Sequence, residues 1–377
     1  MVVPFRIWYI VVKRVLFIMC CSETGFPNFV PGGILMKVTI QDIAKAANVA
    51  KSTVSKVLND SPKISKETKI RVREIMEQMN YTPSSIATRL AKRSSHNIGM
   101  LIDMNRESEY MNPFFLNIIS GIESVIGPMK YELTIANMQQ DDPERNVINR
   151  LVRSGRIDGL IANNAIMSED MAKTLNSLEF PFVTIGEFTS LPVPWADYDN
   201  AEGGRMLTGH LLDEGYRDIA FIGGEPLERI FTKRHQGYRQ ALLEAGIAYR
   251  EDRTIHGVAD ENHGYQTVLE LLRSDHPPDS LVCMNNYSAF GALKAIQQAG
   301  IAIPGEVGIA TFDDYPFSPH TNPPLTSLFI DTFQLGATAG RMLIETMNKP
   351  ELPYPSLLLQ PKLNVRESTL KNKAGLE

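Results

Sequence analysis

Cysteine is nearly absent, with three in 377 residues. Cys20 and Cys21 lie in a segment set aside below, and Cys283 stands alone in the apolar run LVCM. Neither a disulfide framework nor zinc-ligand spacing exists, which fits a reducing cytoplasm. The apolar stretch WYIVVKRVLFIMCC is broken by Lys13 and Arg14, so neither side reaches the roughly 20 residues that span a bilayer, and no membrane partner is expected. There is no G-x-S-x-G, Walker loop or HExxH, and none of the seven histidines has a metal-ligand neighbour. No catalytic residue, metal or cofactor is therefore expected. The glycine pairs Gly203-Gly204 and Gly223-Gly224 read as turns.

What is present is a chain too long for one ordinary core, 43% hydrophobic and 21% charged, as in a soluble protein of two or three domains. Its net charge of -5 is unevenly spread. Residues 37–96 hold 12 Lys or Arg against 5 Asp or Glu, whereas residues 97–377 hold 23 against 37. A basic head on an acidic body suits a polyanion held at one end, although a solvated charged face would show the same balance. Residues 1–35 read as a non-native or mis-started extension: Gly32-Gly33-Ile34-Leu35 can encode a ribosome-binding element just upstream of a start codon at Met36. A basic pair followed by VLFIMCC also resembles a short signal sequence, but the head that follows would serve nothing outside the cell.

Thr39-Ile40-Gln41-Asp42 has capping-box spacing, with Ile40, Ile43, Ala44 and Ala47 on one helical face. Asn48 tolerates the left-handed turn that follows, and Lys51 to Leu58 then puts Val54, Val57 and Leu58 on one side and Lys51, Ser52, Ser55 and Lys56 on the other. Ser65 opens a third helix whose Ile70, Ile75, Met76 and Met79 can close a small core before Pro83. Residues 36–82 are thus expected to form an all-α, helix-turn-helix head. Residues 83–96, including SSIATRLA, read as a weakly helical linker too short to be stable alone.

The run VTIQDIAKAANVAKSTVSKVLND, continuing through ISKETKIRVREIMEQMNYTPSSIATRLA, resembles the DNA-binding head of the lac and gal repressor family. The resemblance implies a lambda-repressor-like head on palindromic operator DNA, with Lys51 and Ser52 facing bases and Thr53, Ser55 and Asn59 on phosphate or base edges. It implies further that Lys56 reaches the groove and that Thr39 and Tyr81 belong to the same DNA-binding set. Residues 83–96 would be the hinge helix that folds on DNA, Leu90 wedging between base steps in the minor groove, Ala87 at the close helix contact and Arg89 on phosphate. Three positions depart from the family pattern: Asn48 for Gly, Ala50 for Ser and Lys56 for Arg. Ala50 lacks the oxygen that would cap the recognition helix, a loss of about 0.5 to 2 kcal/mol, and Lys56 cannot fork onto guanine as Arg does.

From Asn97 the pattern becomes apolar runs alternating with amphipathic segments. IGMLID, YELTIAN, DGLIAN, FPFVTIG, DIAFIGG, SLVCMNN and EVGIATFDD read as buried parallel strands, separated by helices such as 115–126 and 204–214. Such α/β sheets bind ligands beyond the strands' carboxyl ends, here Asp103, Asn137, Asn163, Gly186, Gly223, Asn285 and Asp313. NPFF, DPERN, RIDGLI, Asp199-Asn200, RHQGYRQAL, FDD, PPLTSL and VREST resemble the effector body of the same family. The implied fold is periplasmic binding protein-like type I, two doubly wound parallel-sheet subdomains. These would span about residues 97–197 with 328–357 and residues 198–327 with 358–369, before a short tail, 370–377.

That resemblance implies a repressor of carbohydrate-utilisation genes under a small sugar or sugar phosphate and a homodimer in the cytoplasm; a sugar-binding receptor without a DNA role, and a regulator under a purine or a phosphocarrier protein corepressor, are left open. Phe114 and Phe115 would wall the cleft, and Arg234, Asn285, Asp313 and, more weakly, Asp199 would grip polar groups. Each has a plainer reading: the phenylalanines as core, Arg234 paired with a carboxylate, Asp313 capping a turn. Asn286 for Asp, Ile330 for a polar residue and an insertion at 106–111 depart from the family pocket.

Overall fold

Residues 38–81, 94–103, 113–138, 147–349 and 356–371 are described by the computed structural model and form two separate units, a head and a body. The extension before Val38, the hinge residues Ala87, Arg89 and Leu90, and the insertion at 106–111 lie outside the described residues. No helix among the described residues is long and apolar enough to cross a membrane.

In the head, the Thr39 N–H and hydroxyl both donate to Asp42 Oδ2, at 2.9 and 2.7 Å, and start α1 (Ile40–Ala46). Asn48 takes the left-handed turn at φ 49° and leads to α2 (Lys51–Leu58). The Ser65 hydroxyl accepts the Thr68 N–H at 3.3 Å and opens α3 (Lys66–Gln78). Ile43, Val54, Val57 and Val72 are fully buried, with Ile75, Met76 and Met79 packed beside them. Ile70, expected in this core, is instead 57% exposed. Val72, Ile75, Met76 and Met79 follow the i, i+3, i+4, i+7 spacing of one face, and Ile70 lies roughly 200° around the helix from Val72. Asp60 closes the loop before α3 by pairing with Lys69 and Arg73, both at 2.9 Å.

In the body, Asp158 gathers the chain as it arrives. Its Oδ1 accepts the Ser95 N–H at 2.7 Å, and its Oδ2 accepts the His96 N–H at 2.9 Å and the Ser94 hydroxyl at 2.5 Å. The first sheet comprises β1 (Asn97–Ile102), β2 (Glu132–Asn137), β3 (Gly159–Asn163), β4 (Phe182–Ile185), β5 (Trp195–Tyr198) and β11 (Ser356–Leu359), in the order β11-β5-β4-β3-β1-β2 and wholly parallel. The second comprises β6 (Ile219–Ile222), β7 (Thr254–Ile255), β8 (Ser280–Cys283), β9 (Gly308–Phe312), β10 (Thr326–Phe329) and β12 (Lys362–Asn364), ordered β12-β10-β9-β8-β6-β7, with β12 alone antiparallel. Every apolar run read as a strand is one; β1, β3 and β9 are buried on both faces as central parallel strands require, whereas β2, at the sheet's edge, leaves Ile135 43% exposed.

The α-helices among the body's described residues are α4 (Pro113–Ile126), α5 (Glu169–Ser177), α6 (Asn200–Asp213), α7 (Arg229–Glu244), α8 (Glu261–Leu272), α9 (Asn286–Gln298) and α10 (Thr332–Asn348). The chain crosses between sheets after β5, after β10 and between β11 and β12. The last two crossings fall two residues later than expected, because Phe329 still pairs with Lys362 in the second sheet and Leu359 with Tyr198 in the first.

Gly203 and Gly204 do not make a turn; both lie inside α6. A Cβ on Gly204 would fall 2.1 Å from the Arg234 carbonyl oxygen, and one on Gly237 would fall 1.8 Å from the Ala201 carbonyl oxygen, so α6 and α7 cross backbone to backbone. Gly121 and Gly336 do the same for α4 and α10, and Gly264 and Gly291 for α8 and α9. Gly223 and Gly224 do follow a strand, at φ 90° and 92°. Beside this crossing, His235 stacks on Phe231 with ring centroids 5.2 Å apart, its Nε2 3.0 Å from the Thr254 hydroxyl. Burial, aided by Arg239 and His256, pushes its pKa from the ordinary 6.5 down to about 4.

Gly204→Ala should cost about 1–3 kcal/mol through overpacking, read as a lower urea midpoint at unchanged slope. Gly209→Ala on the same helix meets nothing within 4 Å and should gain up to about 1 kcal/mol; equal behaviour of the two would refute the backbone contact. His235 binds its proton more weakly folded than unfolded, so its contribution is complete above pH 6.5 and lost as pH falls towards about 4. Between those values His235→Asn should flatten the fall of the urea midpoint relative to the parent chain.

Candidate functional site

On the head, α2 buries Val54 and Val57 and turns Lys51, Ser52 and Lys56 to solvent, with Thr53 and Ser55 half-buried beside them. Ala50 occupies the N-cap with no side-chain bond, so the first N–H groups of α2 are left for another acceptor. Five of the expected DNA-facing residues therefore share one short helix. Asn59 is exposed beyond it, but its amide donates back to the Ser55 carbonyl at 3.0 Å. Thr39 is engaged with Asp42, and Tyr81 packs half-buried on the head core, where burial raises its phenol pKa. Exposed ammonium and hydroxyl groups on a short helix suit phosphates and base edges.

In the body, Arg234 on α7 is 3% exposed and fully committed. Its Nε donates to Asn200 Oδ1 at 3.0 Å, Nη1 to the Met284 carbonyl at 2.5 Å and Nη2 to Asp313 Oδ1 at 3.4 Å, while the guanidinium sits 4.1 Å from the centre of the Phe312 ring. Asp313 follows β9 in a left-handed conformation, φ 64°. Burial pushes the Asp313 carboxyl up and the Arg234 guanidinium down, and each opposes the shift of the other. Asp197 stands near this pair, its carboxyl raised by burial and held by the N–H groups of Glu187 and Tyr198 at 2.9 and 2.7 Å.

Asp313 and Phe114 line one cavity of about 170 Å³, together with Asp314, Tyr315, Ile330 and Asp331. It lies where the chain crosses from β10 to α10, so both subdomains contribute walls. Phe115 packs edge-on to Phe114 with centroids 5.8 Å apart and joins the first subdomain's core. Asn285 and Asp199 are helix caps: Asn285 accepts the Ser288 N–H at 2.9 Å and donates to the Ala259 carbonyl at 2.8 Å, and Asp199 accepts the Glu202 N–H at 2.9 Å. Asn286 is a buried staple, donating to the Asp313 carbonyl at 2.8 Å and accepting from the Tyr315 N–H and the Ser318 hydroxyl.

Sequence reasoning missed Asp197, Asn200 and Tyr315. The alternation of strand β5 could have separated inward from outward residues in Trp195–Asn200, but it spans only four residues. The FDD and VREST signatures prove to be partners, since Arg366 forks onto Asp314 at 2.8 and 2.9 Å. Burial tends to raise the Asp314 carboxyl, but the bonds from Arg366, Ser327 and Asn364 outweigh it and hold the group below the ordinary range. No group of three His, Cys, Asp or Glu among the described residues is disposed to hold a metal.

Residues 39–84 match the family described as bacterial regulatory proteins, lacI family, and residues 208–369 match the periplasmic binding protein-like domain. The chain is 30% identical over 343 residues to the HTH-type transcriptional repressor PurR of Pasteurella multocida (strain Pm70), covering 88% of this chain and 98% of that protein. It is 31% identical over 334 residues to the ribose operon repressor of Haemophilus influenzae, with coverage of 88% and 98%. Its fold matches a crystal structure of the lac repressor dimer bound to operator and the anti-inducer ONPF, with a TM-score of 0.78, 24% identity and coverage of 88% and 99%.

Replacing Arg234 alone leaves a buried carboxylate uncompensated. Arg234→Met should therefore cost about 3–5 kcal/mol in chemical unfolding, and Arg234→Met with Asp313→Asn should cost distinctly less than the two single changes summed. Strict additivity would show that the two side chains do not depend on each other.

Proposed function

The chain belongs to the lacI family of bacterial regulatory proteins, and from that premise we propose that it is a dimeric repressor of carbohydrate-utilisation genes, released from or driven onto its operator by a monosaccharide-sized ligand in the body's cleft. The observation that carries this reading is the presence, in one chain, of α2's outward Lys51, Ser52 and Lys56 and of a cavity pairing an apolar face, Phe114 and Ile330, with carboxylate acceptors. A sugar ring needs both, apolar surface for its C–H face and polar groups for its hydroxyls. At about 170 Å³ the cavity is smaller than the roughly 300–1,000 Å³ that holds drug-sized ligands, which favours a single ring.

The control is reciprocal linkage. A ligand bonded to Asp313 on one subdomain and packed on Phe114 of the other favours one arrangement of the two halves, and operator DNA favours one arrangement of paired heads. Whichever arrangement both prefer is stabilised by both, and by the same factor. A palindromic operator calls for two heads, with the hinge residues Ala87, Arg89 and Leu90 of each chain meeting in the minor groove.

The test is capture and sequencing of genomic DNA on the purified chain starting at Met36, with and without a panel of sugars and purine bases. Enrichment of a palindrome beside sugar-uptake genes, changed by one sugar, is the expected result; a response to a purine base alone would overturn the carbohydrate assignment. On the recovered site, Lys56→Ala should weaken binding and reduce the slope of log affinity against log salt by about one.

A further inference from the structure

We propose that the cleft selects an uncharged, hydroxyl-rich ligand and rejects the phosphorylated form of the same sugar. This rests on the reading of the cleft as the effector site. Asp313, Asp314 and Asp331 are among the residues that line the cavity, the first two paired with Arg234 and Arg366, and no Lys, Arg or His among the described residues lines it.

The nearby cations are already spent. Arg234 directs its three donor groups to Asn200, the Met284 carbonyl and Asp313. Arg366 is forked onto Asp314. Arg229 and Lys233, further along α7, are held by the neighbouring loop, Arg229 donating to Ser190 at 3.0 Å and Lys233 pairing with Glu187 at 2.9 Å. Two helices among the described residues open at the cavity: α10, whose N-terminus already carries a carboxylate, Asp331 Oδ1 accepting the Gln334 N–H at 2.9 Å, and α4, whose first turn presents Phe114 there.

A phosphate brought here would give up its water, find no free cation among the described residues and face the carboxylate of Asp331. Hydroxyl groups meet the opposite situation. Each can donate to a carboxylate or carbonyl oxygen, and the cavity has more acceptors than donors to offer. Charge therefore does in this cleft what shape does not: a sugar and its phosphate present the same ring to Phe114, and only the carboxylates tell them apart.

The experiment is isothermal titration calorimetry of the full chain with matched pairs: glucose and glucose 6-phosphate, ribose and ribose 5-phosphate, fructose and fructose 1-phosphate. The expected result is a free sugar that binds and a phosphorylated partner at least about 100-fold weaker. Asp331→Asn keeps a good helix cap and should narrow that ratio about tenfold by removing one facing charge. A phosphorylated member that binds as well as or better than its free partner, or a ratio untouched by Asp331→Asn, overturns the inference and leaves the cleft as the effector site. Failure of every pair to bind overturns the carbohydrate reading, and the inference falls with it.

Discussion

Three pairs of helices in the body touch through glycine, backbone against backbone, and the cleft exists because they do. The Cβ positions at Gly121 and Gly336, Gly204 and Gly237, and Gly264 and Gly291 all fall within 2.3 Å of a carbonyl oxygen on the facing helix. No side chain can separate these helices, so their relative position is set by hard contact rather than by adjustable packing. Two of the pairs carry the site. The α4–α10 crossing holds Phe114 and Phe333 at the cavity, and the α6–α7 crossing holds Asn200 against Arg234. The Gly204 contact is with the carbonyl of Arg234 itself, so the residue that organises the polar floor of the cleft is seated directly on the crossing.

That seating lets a buried charge persist. Arg234 has lost its water and recovers it only in part from Asp313, 3.4 Å away, with the remainder supplied by an amide, a carbonyl and the face of Phe312. Such an arrangement adds little to stability over an apolar substitute, but it tolerates only a narrow geometry. A ligand that draws on Asp313 alters the electrostatic balance of the whole group, which includes Asp197 on the crossing from the first subdomain. The two halves of the body are in this way joined by charge as well as by chain.

How much of this was legible depended on composition. Apolar, fully buried runs announce strands even at four residues, as in IAFI and SLVC, whereas β5, β7, β10 and β12 carry Asp, Thr, Ser or Lys within two to four residues and β11 is mostly exposed, so none of them stands out from its surroundings. The head's helices were clear from caps and turn residues, but Ile70 was misplaced because apolar character was read without its angle around the helix. Of the residues that motif resemblance assigns to the cleft, Asp313 and Phe114 line the cavity and Arg234 bonds to Asp313. Asn285 and Asp199, read as cleft residues, also cap helices, and Asp197, two residues from Asp199, accepts from Asn200, which in turn accepts from Arg234. A dipeptide of glycines carries no mark that tells a turn from a helix crossing, which is why Gly203 and Gly204 were misread.

The arrival of the chain at the body is made mainly of main-chain donors. Asp158 holds the N–H groups of Ser95 and His96 and the Ser94 hydroxyl, while the His96 ring rests on Tyr131. A joint of this kind is indifferent to most of the sequence that precedes it. Substitutions ahead of Ser94 touch none of these bonds, so the seating of β1, the strand on which the first sheet is built, does not depend on them.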